Sequence, residues 1–201
     1  MQAFVRLPIM YLSRILYCLA ALFISCNQGN SAAVDNAIAE AGNTTAAPQV
    51  PVVNNQQPVT NIKTGNTTPQ ELITFARTLT GIGYKYGSAS PDAGFDCSGF
   101  ITYTFNHFGI AVPRSSVDFT HVNREVSLKN SKPGDLILFT GTDSTVKTVG
   151  HMGILTTTAL QGHQFIHATS GKAYGVTETP LNPYYQGRFI KVVRVFVQND
   201  H

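Results

Sequence analysis

Gly94-Phe95-Asp96-Cys97-Ser98-Gly99-Phe100 marks a change of texture in the chain. Before it, from Gly87 to Gly94, runs a polar loop that contains glycine. After it, Ile101 to Ile110 is apolar, with Ile101, Phe105 and Phe108 on one face of a 3.6-residue period, which predicts a helix. Cys97 then stands at or just before a helix N-terminus. Unpaired backbone N–H groups and the helix dipole favour negative charge there. A thiol so placed is expected to lose its proton readily, and the thiolate is the nucleophilic form. The competing reading is a small buried cysteine packed against the helix, since free cysteine is among the most buried residue types.

Downstream, Ala111 to Asp118 reads as a loop, with Arg114 a solvated or capping residue. Lys132-Pro133-Gly134-Asp135 is a turn that opens a strand from Leu136 to Phe139. Gly141 to Thr148 is polar and irregular. His151 to Leu155 and Gln164 to Ala168 read as two further strands, separated by a turn at Leu160 to His163. Side chains alternate along strands, so an antiparallel register with position 151 opposite 167 puts both histidines on one face. Arg188 to Val197 is a last, strongly β-prone strand. Helices first and strands after predict an α+β fold, N-terminal helices packed on an antiparallel sheet.

Upstream, Thr68-Pro69-Gln70-Glu71 is a capping box with proline at the first helical position. Leu72, Phe75, Ala76 and Leu79 continue one apolar face until Gly81. Gly83-Tyr84-Lys85-Tyr86-Gly87 leads from there into the loop before Cys97. From Asn27 to Thr67 the composition turns to Asn, Thr, Ala, Gln, Pro and Val, which predicts a flexible tether. Residues 1–26 have a positive front, Arg6 and Arg14, and the apolar run Ile15 to Ile24, too short for a good membrane span. They read as a secretory signal. The run ends in Ser25-Cys26, a small residue followed by cysteine, similar to a bacterial lipobox with Phe23 in place of the usual leucine. The expected organisation is a signal over 1–26, a tether over 27–67 and one domain over 68–199.

Charge excludes one class of partner. The chain carries 14 basic and 11 acidic residues, and two of the basic ones lie in the leader, so no basic surface or run argues for nucleic acid. Of the 3 cysteines, Cys18 is in the leader and Cys26 is the lipidation candidate. Cys97 is the one thiol left in the domain, without an internal disulfide partner. A helix-borne thiol and two strand-borne histidines are the parts of a cysteine hydrolase site: one imidazole takes the thiol proton and a further polar group orients it. A zinc site from Cys97, His151 and His167 is the alternative use of these residues. The four-residue spacing of His163 and His167 suits a metal on a helix, whereas this segment reads as strand.

In order along the chain, Gly83-Tyr84-Lys85-Tyr86-Gly87, Phe95-Asp96-Cys97-Ser98-Gly99-Phe100, Val112-Pro113-Arg114-Ser115-Ser116, Lys132-Pro133-Gly134-Asp135-Leu136, Gly150-His151-Met152-Gly153-Ile154 and Phe165-Ile166-His167-Ala168 resemble the NlpC/P60 family of papain-like cysteine peptidases. The resemblance covers about residues 68 to 197. It implies that Cys97 is the nucleophile, His151 the base and His167 the orienting residue. It further implies that Tyr84 lies beside the thiol and helps hold an oxyanion, and that Asp96 and Ser98 contact the substrate's amino group. Helix capping is the other reading of Asp96, and an ordinary first-turn residue that of Ser98. No cofactor and no metal are called for. Two features depart from the family pattern: Phe119 stands near a position where glutamine is common, and the segment from Gly141 to Thr148 is long.

What the resemblance implies is a peptidoglycan endopeptidase that cuts murein stem peptides or cross-links through a thioester on Cys97. Its partners would be peptidoglycan peptides and, through a lipid on Cys26, a membrane of the bacterial cell envelope. A papain-like amidase or acyltransferase is the rival enzyme. A catalytically silent cell-wall-binding lipoprotein is the rival from another class.

Overall fold

Thr68 opens the ordered helical part of the chain as its own sequence requires. Its hydroxyl accepts from the Glu71 N–H at 3.3 Å, and the Glu71 carboxylate accepts from the Thr68 N–H at 2.8 Å. The capping box starts helix α1, Pro69–Thr78, which buries Leu72, Ile73 and Ala76. The computed structural model describes residues 59–201. The leader, Cys18, Cys26 and most of the expected tether lie outside the described residues. Among the described residues no helix is long and apolar enough to cross a membrane.

The expected tether ends earlier than Thr67. Ile62 is 2% exposed and belongs to the main core. Asn123, at a positive φ of 49°, accepts from the Ile62 N–H through its side chain at 2.7 Å and donates its own N–H to the Thr60 carbonyl at 3.0 Å. One apolar side chain in a polar stretch gives no compositional signal. It docks because a partner 61 positions away is shaped to receive it.

Two short strands, β1 (Ala89–Ser90) and β2 (Gly94–Phe95), pair and lead into α2, Cys97–Asn106. Six more strands follow: β3 (Arg124–Val126), β4 (Leu136–Thr140), β5 (Val149–Leu155), β6 (Gln164–Thr169), β7 (Gly175–Pro180) and β8 (Phe189–Arg194), with a one-turn helix α3, Pro183–Gln186, before the last. They form one antiparallel sheet in the order β3-β8-β4-β5-β6-β7. The fold is the expected α+β arrangement of helices on an antiparallel sheet. One sheet face (Leu136, Leu138, Met152, Ile154, Ile166, Ala168) packs against Leu72 and Ala76 of α1 and Phe100, Ile101 and Phe105 of α2. The opposite face buries Ile137, Phe139, Leu155, Phe165 and Val192 with Tyr185 of α3.

The turn Lys132-Pro133-Gly134-Asp135 is structural. Asp135 is fully buried and accepts from Arg194 on β8, from the Lys132 N–H at 2.9 Å and from the Asn199 amide at 3.2 Å. A buried carboxylate with this many donors ties the start of β4 to the end of β8, and removing one partner would leave a costly unpaired charge.

Four strands and a register differ from the sequence expectation: β1 and β2, two residues each, fall in and at the end of the stretch read as a loop. β3 is too short, and β7 too rich in threonine and glutamate, to stand out as apolar runs. β5 and β6 pair Ile154 with Ile166 and Leu155 with Phe165, a register that puts Gly153, not His151, opposite His167. The shift is by two residues, so both histidines keep to one face. Gly153 is what the register needs at that place: a Cβ there would lie 2.7 Å from the Phe165 ring, 2.9 Å from the Ile166 carbonyl oxygen and 3.2 Å from the His167 Cβ. Gly153→Ala is expected to destabilise the protein by about 1–3 kcal/mol, as overpacking does, and to lower activity with it. Denaturant titration checks the first effect. Wild-type stability in this variant would mean that β5 and β6 are not packed this closely.

Candidate active site

Asp96 is the N-cap of α2 and makes Cys97 its first residue. The Asp96 carboxylate accepts from the Gly99 N–H at 2.5 Å. It is also held by Arg114, whose Nη2 lies 2.9 Å from Oδ2 and Nη1 3.1 Å from Oδ1. Ser98 donates to Asp96 at 3.3 Å and accepts from Arg114 at 3.0 Å. Gly99 allows the helix start to press on the preceding loop, because a Cβ there would lie 2.0 Å from the Ser88 carbonyl oxygen. The nucleophile candidate is thus fixed by a cap, an ion pair and a close backbone contact.

His151 follows a β-bulge. β4 and β5 pair Phe139 with His151 but Thr140 with Val149, leaving Gly150 as the extra residue on β5. A bulge re-aims the side chains beside it. The Gly150 carbonyl oxygen turns towards Cys97, whose Sγ is 3.9 Å away. From the face opposite α2, His151 and His167 join through Nε2 and Nδ1 at 2.8 Å, and His167 Nε2 lies 3.0 Å from the Thr179 hydroxyl. Phe139, Phe165 and Tyr185 pack around the two imidazoles.

These bonds constrain the tautomers. For His151 to accept a proton at Nδ1, its Nε2 must carry hydrogen and donate to His167 Nδ1. His167 then carries its own hydrogen on Nε2, facing Thr179. His151 Nδ1 makes no hydrogen bond, and His151 and Cys97 line one cavity of about 960 Å³. Tyr84 lines it too. Its segment is threaded between β2 and β7: Phe95 donates its N–H to the Gly83 carbonyl at 2.9 Å, and Tyr84 donates its own to the Tyr174 carbonyl at 3.0 Å.

Asp96 and Ser98 do not line this cavity. They are 8% and 5% exposed and engaged with Arg114 and the helix start. The site residues that sequence reasoning passed over are Thr179 on β7, Tyr185 on α3 and Arg188 just before β8. β-branched Val176, Thr177 and Thr179 carry a weak strand preference, and Asn182-Pro183 a helix start, whereas nothing local marks Arg188. Among the described residues no group of three or more His, Cys, Asp or Glu is gathered as a metal would need.

The expected acidic thiol is not what the site makes. Burial pushes Cys97 up to about 11, and the Asp96 charge acts in the same direction. The backbone N–H groups of Ser98, Met152 and Cys97 pull it down, but by less. His151 is held well below the ordinary imidazole range, first by burial and then by His167 and Arg188. The resting pair is a neutral thiol and a neutral imidazole. Alkylation of Cys97 by iodoacetamide is therefore expected to be slow at pH 7 and to rise about tenfold per pH unit towards pH 11. A rate already level below pH 8 would show a preformed thiolate.

Acid acts on the fold through the same burial. His167 is lowered to about 3, again mainly by burial. Between its unfolded value near 6.5 and about 3, the unfolded chain takes up a proton that the folded chain refuses, so stability falls as pH drops through that window.

A thiol at a helix start, sharing a cavity with an imidazole that a second imidazole orients, is the constellation of a cysteine-dependent hydrolase. A sequence model of the NlpC/P60 family matches residues 81–194, and the chain belongs to that family. It is 31% identical over 134 residues to the gamma-DL-glutamyl hydrolase of Bacillus subtilis, covering 67% of this chain and 32% of that protein. It is 35% identical over 117 residues to the murein DD-endopeptidase MepS/murein LD-carboxypeptidase of Escherichia coli K12, covering 57% of this chain and 56% of the relative. The chain thus spans only part of the length of these curated relatives. Among solved structures, a protein described as similar to a lipoprotein of the NLP/P60 family, from Staphylococcus aureus Mu50, superposes with a TM-score of 0.56 at 30% identity over 67% of this chain and 43% of its own. An NlpC/P60 family protein from Bacillus cereus gives 0.58 at 27% identity, over 66% of this chain and 41% of its own.

Proposed function

We propose that this chain is a peptidoglycan endopeptidase that hydrolyses peptide bonds of murein stems or cross-links, with Cys97 as nucleophile. The observation that carries the reading is the meeting of Cys97 and the hydrogen-bonded His151–His167 pair on one cavity. The names of the murein-cleaving relative from Escherichia coli and of the glutamyl hydrolase from Bacillus subtilis supply the substrate class.

The steps follow from the resting state. With a peptide carbonyl seated over Cys97, His151 Nδ1 removes the thiol proton as sulfur attacks, because neither group is ionised beforehand. The carbonyl oxygen gains negative charge, and the N–H groups near the sulfur at the start of α2 are the donors placed to meet it, with Tyr84 at the cavity wall. The proton on His151 passes to the leaving amine, and a thioester forms. Water, deprotonated by the same imidazole, then releases the acid and restores the thiol. His167, itself braced by Thr179, holds His151 in the productive tautomer throughout. Asp96 and Ser98 contribute by fixing the helix start, and contact of the substrate's amino group with them would require Arg114 to yield.

The test is digestion of purified peptidoglycan by the full chain with mass spectrometry of the products. New peptide ends on intact glycan are expected. Cleaved glycan, or an unchanged wall, overturns the proposal, and an acyl product formed only from another substrate favours the amidase or acyltransferase reading.

The signal over 1–26 and a lipid on Cys26 belong to the same proposal and give an exported protein on a membrane of the cell envelope. Lipid chains contribute about 0.8 kcal/mol per buried CH₂, so more than one chain on a cysteine anchors firmly. Cys26→Ser is expected to move the protein from the membrane to the soluble fraction while its specific activity stays within about twofold. Equal membrane fractions for the two proteins would rule the anchor out.

A further inference from the structure

Arg188 is a buried cation that the peptidase chemistry leaves without a use. It is 6% exposed and lines the same cavity as Cys97 and His151. Its Nη1 donates to the Tyr184 hydroxyl at 2.7 Å and its Nη2 to the Thr140 carbonyl at 2.8 Å. Its Nε is buried with no hydrogen-bond partner. No carboxylate lies within ion-pair distance of it among the described residues. The other buried arginine behaves differently: Arg194 meets Asp135 at 2.9 Å. Burying a guanidinium without a counter-charge is costly, and structures keep such a group mainly where something else neutralises it.

The Tyr184 and Tyr185 rings, with centroids 4.9 and 5.7 Å from the Arg188 Cζ, offset part of that cost, and the cavity wall points to what offsets the rest. The wall carries a second cation, Lys172, on the exposed loop between β6 and β7, and no aspartate or glutamate at all. A cleft with one sign of charge in low-dielectric walls concentrates ligands of the opposite sign. A guanidinium fork fits a carboxylate by geometry as well as by charge. The Arg188 charge also reaches the imidazoles, lowering both His151 and His167, so the group sits within electrostatic range of the reacting atoms.

We infer that Arg188, with Lys172 at the cavity mouth, forms a subsite for a carboxylate of the peptide substrate near the bond that is cut. Substrate selection then works in part by charge: a peptide with a free carboxylate at that place is taken in preference to its carboxamide. The inference deepens the peptidase reading and rests on it for the substrate class.

The experiment uses a synthetic stem peptide and a series in which each carboxylate in turn is a carboxamide. Binding is measured by calorimetry on full-length Cys97→Ala, and kcat/KM on the active protein. One member of the series is expected to bind about tenfold or more weakly than the parent, a loss typical of a charged hydrogen bond. Adding Arg188→Gln should shrink that ratio to within about twofold, with Arg188→Lys keeping part of it, whereas a structural role alone would weaken acid and amide alike. Lys172→Gln, at an exposed loop position, should weaken the acid peptide a few-fold (about 2–5) and leave its carboxamide unchanged, and it decides the matter if Arg188→Gln does not fold. Equal binding of the parent and every carboxamide, or no binding of any, overturns the subsite, as does discrimination that survives Arg188→Gln. Acid-selective binding without cleavage sinks the peptidase reading and leaves the subsite standing, and cleavage without selectivity does the reverse.

Discussion

Alanine at Cys97 is expected to lower peptide hydrolysis by on the order of 10⁵ or more, the loss seen when a covalent nucleophile is deleted. The fold should survive. Cys97 closes the core at the start of α2 with 9% exposure, and its sulfur makes one weak contact, to the Gly150 carbonyl at 3.9 Å. Loss of one sulfur atom there costs about 1 kcal/mol of burial. Neither the Asp96 cap nor the Arg114 ion pair depends on the thiol. Circular dichroism and a melting curve on the same preparation separate the two effects. A variant that is folded and active within a few-fold of wild type would remove Cys97 from the chemistry.

His151→Ala should cost on the order of 10⁴ in kcat, and His167→Ala about a hundredfold less, as when the orienting member of a triad is removed instead of the base. The difference follows from the bonds. In the proposed mechanism His151 takes the proton at its free Nδ1, and His167, bonded to its Nε2, fixes which nitrogen is free. Because both imidazoles are held neutral by burial, kcat/KM should keep its level as pH falls below 6.5, the range in which an exposed histidine would protonate and stop. His163 is an internal control: it bonds to Ser131 and to the Leu128 carbonyl, on another part of the molecule. His163→Ala as damaging as His151→Ala would place the base on the wrong histidine.

The parts of this fold that could be read from the chain are those whose cause is local. The capping box at Thr68 needs only four residues, and β4, β5 and β6 announce themselves by apolar runs bounded by turns. The candidate nucleophile is legible because a cysteine after an aspartate cap, before an apolar helix, is unusual in so short a span. The remainder has causes distant in sequence. Ile62 is core because Asn123 receives it. The register of β5 on β6 depends on Gly153 fitting under His167. Of the two readings of Asp96, substrate contact and helix capping, the cap is local and visible in the sequence, whereas the hold of Arg114, 18 residues on, is not. The acidity of Cys97 was misjudged for the same reason: a helix N-terminus is visible in the sequence, while burial by the sheet is not. Arg188 passed as one more residue of a β-prone run, although its surroundings come from β4 and α3.

The proposed mechanism requires an acyl group carried by Cys97, and mass spectrometry can look for it directly. The full-length protein is quenched in acid during turnover of a stem peptide, digested and mapped. The peptide that contains Cys97 should carry the added mass of the substrate's acyl part, and hydroxylamine should remove it as the hydroxamate. Protein alkylated to completion at Cys97 should release no product. Cleavage at the untreated rate by that alkylated protein would contradict the account.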